Sequence, residues 1–242
     1  MKTIILAGGK GTRISEYTKT IPKPMIKVGK KPILIHIIEH YSKYGHRDFF
    51  IALGHKSQIV KNYFNKFKKL DEAFNYRLKN FNVSITLSYT GENTLTGGRI
   101  KRMAKFISKN ENFMFTYGDG VSDVNIKKLV QFHKKNKKLI TVTAVRPPAR
   151  FGEITIKNNR VNTFKEKPQV TSGWINGGFF VSNYNFFKLI KNDSTILERE
   201  PLEQASKKNQ LYAFKHKGFW KCMDTLRDKE VLEKINKQNK FN

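Results

Sequence analysis

Arg13 and Lys23 are the two cations of this chain whose neighbours most plainly suggest chemistry. Residues 5–13 read Ile5-Leu6-Ala7-Gly8-Gly9-Lys10-Gly11-Thr12-Arg13, and Lys23 stands between Pro22 and Pro24. Glycines lack a Cβ, so they let a backbone turn sharply and approach another group closely. Successive N–H groups in such a turn form a concave anion site, to which Arg13 and Lys23 would add full charges. This predicts a cradle for a triphosphate. Neither common phosphate loop is present. Lys10 is followed by Gly11 rather than by Ser or Thr, which breaks the P-loop pattern. A dinucleotide fingerprint begun at Gly9 would place its third glycine on Ile14, which breaks that one too. An ordinary glycine turn after a strand is the plainer alternative.

Other stretches carry weaker signals. Asp119 follows an apolar run in Tyr117-Gly118-Asp119-Gly120. A carboxylate flanked by glycines suits Mg²⁺, which takes one or two carboxylates with phosphate oxygens and water. An Asp that bonds its own backbone in a turn would read the same way. Glu166-Lys167-Pro168 follows a predicted strand, and Asn176-Gly177-Gly178 interrupts another. The second reads as a bulge with backbone open to a polar ligand, and both also fit hairpin turns. Asp224 lies between an apolar stretch and a predicted helix, where it could serve as an N-cap. His36 and His40 share one helix face but lack a carboxylate partner, so packing is favoured over metal binding. No Gly-x-Ser-x-Gly elbow exists. Cys222 is the only cysteine, which leaves covalent catalysis without a candidate and excludes an intrachain disulfide or a cysteine-based zinc site.

The elements that must position these residues alternate. Predicted helices start at Pro32, Ser57, Thr96 and Val124, and predicted strands cover 49–53, 82–89, 113–117 and 139–145. Strand–helix alternation is the pattern of a doubly wound, mostly parallel α/β sheet, Rossmann-like in class. From Pro147 the texture becomes hairpin-like, which predicts an added β-rich lobe, then a helical part, a late strand at 211–214 and a closing helix at 226–236. We expect one domain over 1–242, with the alternating part at 1–145 and the lobe and closing part at 146–242.

The 242 residues include 47 basic and 19 acidic ones, for a net charge of +28. Such a charge fits nucleic acid, an anionic surface or a polyphosphate substrate. The lysines are scattered, as in Lys134-Lys135-Asn136-Lys137-Lys138, which reads as a solvated basic surface. No zinc-ligand spacing, RNP motif or basic zipper is present, so nucleic acid is not an expected partner. No apolar run reaches transmembrane length, and the first is too short for a signal peptide. We expect a cytoplasmic protein without a membrane partner.

Taken together the motifs resemble the sugar nucleotidyltransferases, and within them the glucose-1-phosphate cytidylyltransferase branch. Ile5 to Arg13 and Pro22 to Met25 mark the broad family. Thr94 to Arg102, Phe115 to Asp123, Pro147 to Gly152, Glu166 to Pro168, Ile175 to Val181, Glu200 to Leu202 and Gly218 to Asp228 extend the likeness over nearly the whole chain. The resemblance implies transfer of CMP from CTP to a sugar 1-phosphate, most naturally glucose 1-phosphate, giving CDP-glucose and pyrophosphate with Mg²⁺. Another nucleotide or another phosphorylated acceptor is the alternative. It implies that Leu6, Ala7, Gly8, Gly9, Lys10, Gly11, Thr12 and Arg13 hold the nucleotide, with Lys23 on its α-phosphate and Thr94, Arg99 and Gly118 against it. Arg13 and Lys23 would be catalytic, and Asp119 and Asp224 would bind Mg²⁺. Glu166, Lys167, Asn176 and Gly177 would face the sugar phosphate. Lys10 adds a charge where many relatives have none. The stretch from Lys66 to Asn82 is shorter than in some relatives, which leaves a homo-oligomeric assembly open.

Overall fold

The computed structural model describes residues 1–65, 70–146, 153–157, 160–165 and 173–238. Strand β1 (Thr3–Ala7) is buried along its whole length, as a strand with helices on both faces must be. Its side chains alternate between two cores: Ile5 and Ala7 join one apolar cluster, Ile4 and Leu6 the other. The period of two thus gives each face of the sheet its own hydrophobic layer.

The glycine loop then leads into a 3₁₀ turn at Thr12–Ile14 and a single helical turn α1 (Ser15–Thr18). Pro24 sits inside a second 3₁₀ turn, Lys23–Met25. A short ladder of β2 (Lys27–Val28) and β3 (Lys31–Pro32) precedes α2 (Ile33–Lys43). Gly45 follows at φ 84°, the left-handed conformation expected of a helix-ending glycine. Next come β4 (Asp48–Leu53), α3 (Ser57–Tyr63), β5 (Ala73–Arg77) and β6 (Asn82–Tyr89). After α4 (Thr96–Arg102), a 3₁₀ turn at Met103–Phe106 leads to β7 (Asn112–Tyr117). The chain continues through β8 (Gly120–Ser122), α5 (Ile126–Asn136) and β9 (Ile140–Val145). A hairpin of β10 (Glu153–Lys157) and β11 (Arg160–Lys165) stands apart. The end of the chain holds β12 (Ile175–Asn176), β13 (Phe180–Asn183), a 3₁₀ segment at Tyr184–Leu189, α6 (Glu200–Lys207), β14 (Leu211–His216), β15 (Trp220–Cys222) and α7 (Leu226–Lys237).

Among the described residues the main sheet has nine strands. β6, β4, β1 and β7 run parallel, and β5 adds an antiparallel edge. On the other side β13 inserts antiparallel between β7 and β9, while β14 lies parallel to β9. The α/β sheet expected from the sequence is therefore present, and the late strands complete it. The chain builds outward from β1 to β4 and β6, then crosses back to β7. The crevice beyond the carboxyl ends of β1 and β7 is thus the switch point where open α/β sheets bind ligands.

Several local expectations change. Ala73–Arg77 is a strand to which the sequence pattern assigns no element; its Phe74 and Tyr76 alternate with exposed residues, a signal too short to stand out. α3 ends at Tyr63 because Asn65 takes φ 53°. The predicted 96–107 helix is an α-helix followed by a 3₁₀ turn. The helical part expected before the late strand comprises the 3₁₀ segment at Tyr184–Leu189 and α6, whose Pro201 in the first turn is a helix-start signal. Glu166, Lys167 and the Pro147–Gly152 motif lie outside the described residues.

Candidate active site

The glycine loop leaves the end of β1 and packs on its neighbours through absent side chains. A Cβ on Gly8 would lie 2.4 Å from Arg99 Nη1 and 2.8 Å from the Gly54 nitrogen, so only glycine allows this approach. Gly54 begins the loop after β4, and the His55 N–H donates to the Gly8 carbonyl at 3.1 Å. Gly9 faces open space and Lys10 is exposed. Gly11 adopts φ 65°, and its carbonyl accepts from Thr18 Oγ1 at 3.1 Å. Thr12 and the last residue of the motif, Arg13, are exposed.

The second cation is held differently. Pro22 and Pro24 flank Lys23 in a buried 3₁₀ turn, and the residue is only 8% exposed. Its Nζ donates to Asp119 Oδ2 at 2.6 Å and to Asp224 Oδ1 at 2.5 Å. Arg13 Nη1 donates to the other oxygen of Asp224 at 2.7 Å. Four residues from three distant parts of the chain thus form one cluster. Burial alone would lower the Lys23 ammonium, but the two carboxylates outweigh it and hold its pKa above the ordinary value. For Asp224 burial works upward, and Lys23 and Arg13 overcome it, holding the carboxyl below the usual range.

Asp119 reaches the cluster because β7 ends beside β1. A Cβ on Gly118 would meet the Leu6 carbonyl at 2.6 Å and Pro24 Cγ at 2.9 Å. Gly118 therefore lets the Asp119 loop close onto the Pro22-Lys23-Pro24 turn. Asp224 is placed by α7. The cap of that helix is Thr225, in a reciprocal capping box with Asp228, so Asp224 is not the N-cap. Its N–H is fixed by Asp228 Oδ2 at 3.1 Å, and its side chain is left for the cluster.

The other predicted residues divide. Leu6 and Ala7 are buried core residues. Thr94 is buried beside Gly91. Arg99 is 4% exposed and donates to Leu53 O, Thr90 Oγ1, Gly91 O and Glu92 O at 2.7–3.2 Å. In this structure it braces the loops under Gly8 and Gly54. Asn176 is exposed, and its Nδ2 donates to the Tyr117 hydroxyl at 3.0 Å. The Gly177 carbonyl accepts from Trp220 Nε1 at 2.7 Å. Across Gly177–Phe179 the pairing with β9 slips between β12 and β13, which is the expected bulge. Phe179 takes φ 48° there, a conformation rarely tolerated outside glycine; its ring stacks on Tyr41 with centroids 5.8 Å apart.

Sequence reasoning missed Glu198. Tyr117 OH donates to Glu198 Oε1 at 2.6 Å, and Thr96 Oγ1 to Oε2 at 2.8 Å. This chain ties Asn176 on β12 to β7 and to the start of α4. Burial, then the Glu198 carboxylate, raises the Tyr117 phenol. No local pattern marks Glu198. The histidines behave as expected: His36 Nε2 lies 2.9 Å from Val28 O and His40 Nε2 2.8 Å from Val124 O. A carbonyl can only accept, so both rings donate there, which fixes them against the neighbouring backbone.

Among the described residues no group of three or more acids, histidines or cysteines could hold a metal. Two carboxylates converging on one cation nevertheless match the donor set of Mg²⁺, which draws its remaining ligands from phosphates and water.

A basic glycine loop facing an acid pair across the switch point defines the class. The profile of the Nucleotidyl transferase family matches residues 2–228, and the chain belongs to that family. It is 46% identical over 252 residues to the glucose-1-phosphate cytidylyltransferase of Salmonella typhimurium, covering 99% of this chain and 97% of that protein. It is 38% identical over 247 residues to the probable glucose-1-phosphate cytidylyltransferase of Bacillus subtilis, with 98% and 95% covered. Among solved structures, HddC from Yersinia pseudotuberculosis superposes with a TM-score of 0.73 at 22% identity, covering 96% of this chain and 98% of that one. That last likeness is one of fold.

Proposed function

We propose that the protein transfers CMP from CTP to glucose 1-phosphate, releasing pyrophosphate and forming CDP-glucose. The observation that carries this reading is the convergence of Lys23 and Arg13 with Asp119 and Asp224 at the mouth of the glycine loop. The choice of base and sugar is supported by the names of the relatives at 46% and 38% identity.

In the reaction an oxygen of the sugar phosphate attacks the α-phosphorus of CTP. A new P–O bond forms in line with the breaking bond to the β-phosphate oxygen, and pyrophosphate departs with that electron pair. The attacking phosphate is already ionised at neutral pH, so no general base is required. The protein's task is to bring two anions together and neutralise charge that develops between them. Lys23, fixed by its turn, is the group for the α-phosphate. Arg13 is exposed enough to swing from Asp224 to the departing phosphates. Exposed N–H groups around Gly9 and Gly11 would cradle the triphosphate, with Lys10 adding charge. Asp119 and Asp224 would hold Mg²⁺, which when bound would neutralise phosphate charge. Residues 1–145 supply this nucleotide side. Residues 146–242 supply Asp224 and, through Asn176, Gly177, Glu166 and Lys167, the sugar-phosphate side.

Among the described residues no helix is long and apolar enough to cross a membrane, which fits work in the cytoplasm on soluble substrates. The test is to incubate the protein with Mg²⁺, glucose 1-phosphate and each of the four nucleoside triphosphates, and to measure pyrophosphate. Release confined to CTP supports the reading, and chelation of Mg²⁺ should abolish it. Release with a different nucleotide overturns the base assignment. No release with any sugar phosphate, together with salt-sensitive RNA or DNA binding, overturns the enzymatic one.

A further inference from the structure

A cavity of about 530 Å³ lies apart from the catalytic cluster, and Arg13, Lys23, Asp119 and Asp224 are absent from its lining. Its volume falls within the range of small-molecule sites. Its lining includes Tyr17, Tyr63, Met25 and Ile59, and Lys27, Lys229 and Glu233 supply its charge. Glu233 is already satisfied: one oxygen accepts from the Gly29 N–H at 2.9 Å, the other from Lys229 Nζ at 3.1 Å. Lys229 also lies 5.6 Å over the Tyr17 ring. Lys27 is exposed and is the lining cation not engaged by Glu233.

We propose that this cavity is a second ligand site, separate from the catalytic cleft, for a planar aromatic anion. Two tyrosine rings and an aliphatic floor favour a flat apolar body. Two lysines against one glutamate favour a negative substituent. The lining has neither arginine nor a run of glycine N–H groups, the features that recognise a triphosphate.

Occupancy has a route to the active site. α1, which carries Tyr17, starts right after the 3₁₀ turn holding Arg13. Met25 shares one 3₁₀ turn with Lys23. α7, which carries Lys229 and Glu233, starts just after Asp224 and its cap Thr225. A ligand that wedges these walls displaces the elements bearing three of the four clustered side chains, and so alters turnover. This coupling rests on the nucleotidyl-transfer reading; the binding itself does not.

The test uses the full chain and the fluorescent arylsulfonate 8-anilinonaphthalene-1-sulfonate. Expected is saturable one-site binding that persists under saturating Mg²⁺ and CTP. Lys27→Glu, a surface change, should weaken binding at least tenfold. Ile59→Trp, which fills the cavity, should remove it. Thermal melting checks that both variants fold, and Lys27→Glu alone suffices if Ile59→Trp does not. The dye should also change kcat or KM for pyrophosphate release at least twofold in the unmodified protein and leave Lys27→Glu unaffected at the same concentration. Displacement by CTP, absence of saturable binding (as when a second copy of the chain covers the cavity), or equal binding to Lys27→Glu overturns the site. Binding with unchanged turnover overturns the coupling.

Discussion

Lys23 sits between two carboxylates and neutralises them, the task the proposed function gives to Mg²⁺ once substrate is bound. In that proposal the pairing with Asp119 and Asp224 holds the lysine charge ready for the nucleotide. Lys23→Ala and Asp119→Asn should each lower kcat by about 10²–10³ or more, while circular dichroism and the melting midpoint show an intact fold. Near-normal pyrophosphate release from either variant would remove that residue from the mechanism. Arg99 behaves otherwise, because its guanidinium is buried against backbone carbonyls and the Thr90 hydroxyl. Arg99→Met leaves those acceptors unpaired and should cost about 3 kcal/mol of unfolding free energy, measured by denaturant titration. Wild-type stability with weakened CTP binding would instead put Arg99 in contact with the nucleotide.

Asp224 depends on α7 being capped by its neighbour. Thr225 Oγ1 accepts from the Asp228 N–H, and the Asp228 carboxylate accepts from Thr225 and from the Asp224 N–H. Thr225→Ala should therefore cost about 1 kcal/mol in stability. It should also raise the Mg²⁺ concentration for half-maximal turnover severalfold, since the Asp224 backbone loses part of its anchor. A stability loss with an unchanged Mg²⁺ dependence would show that the cap supports the helix alone. The bulge at Gly177–Phe179 follows Asn176 directly, and Asn176 donates to the Tyr117 hydroxyl at 3.0 Å.

Across the molecule, buried histidines make the fold sensitive to acid. Burial pushes His40 and His133 down to about 4 from 6.5. Between those values the unfolded chain binds protons that the folded one refuses, so stability is full above about pH 6.5 and falls as the pH drops toward 4. For His40, which is the more deeply buried, the loss is on the order of a few kcal/mol. Urea titrations at pH 7.5 and 4.5 should show the drop, and His40→Gln should flatten it. An equal pH slope in that variant would assign the acid sensitivity elsewhere.

Much of this organisation was readable in the residues. Apolar runs and glycine punctuation located β1, β4, β6, β7 and β9 to within a residue or two, because burial on both faces leaves a sheet strand little compositional freedom. The motifs marked Arg13, Lys23 and Asp119 for the same kind of reason: glycine and proline at fixed spacing constrain local backbone wherever they occur. The strand β5 and the bounds of helix α6 were not readable, because these are short elements whose stability comes from neighbours. Asp224 could equally have been a helix cap until α7 was seen to be capped by Thr225. Arg99 and Gly118, which the resemblance implies lie at the nucleotide, also hold together the loops that carry Gly8, Gly54 and Pro24. Glu198 carried no signal at all. Glu198 and Asp224 take their roles from contacts across 81 to 211 positions of chain, and no local pattern encodes a distance of that kind. What the sequence alone determined was the alternating framework and the glycine–proline segments that bend it. Which charged groups meet over that framework was decided by the order in which the strands assemble, since only that order sets Asp119 and Asp224 against Lys23.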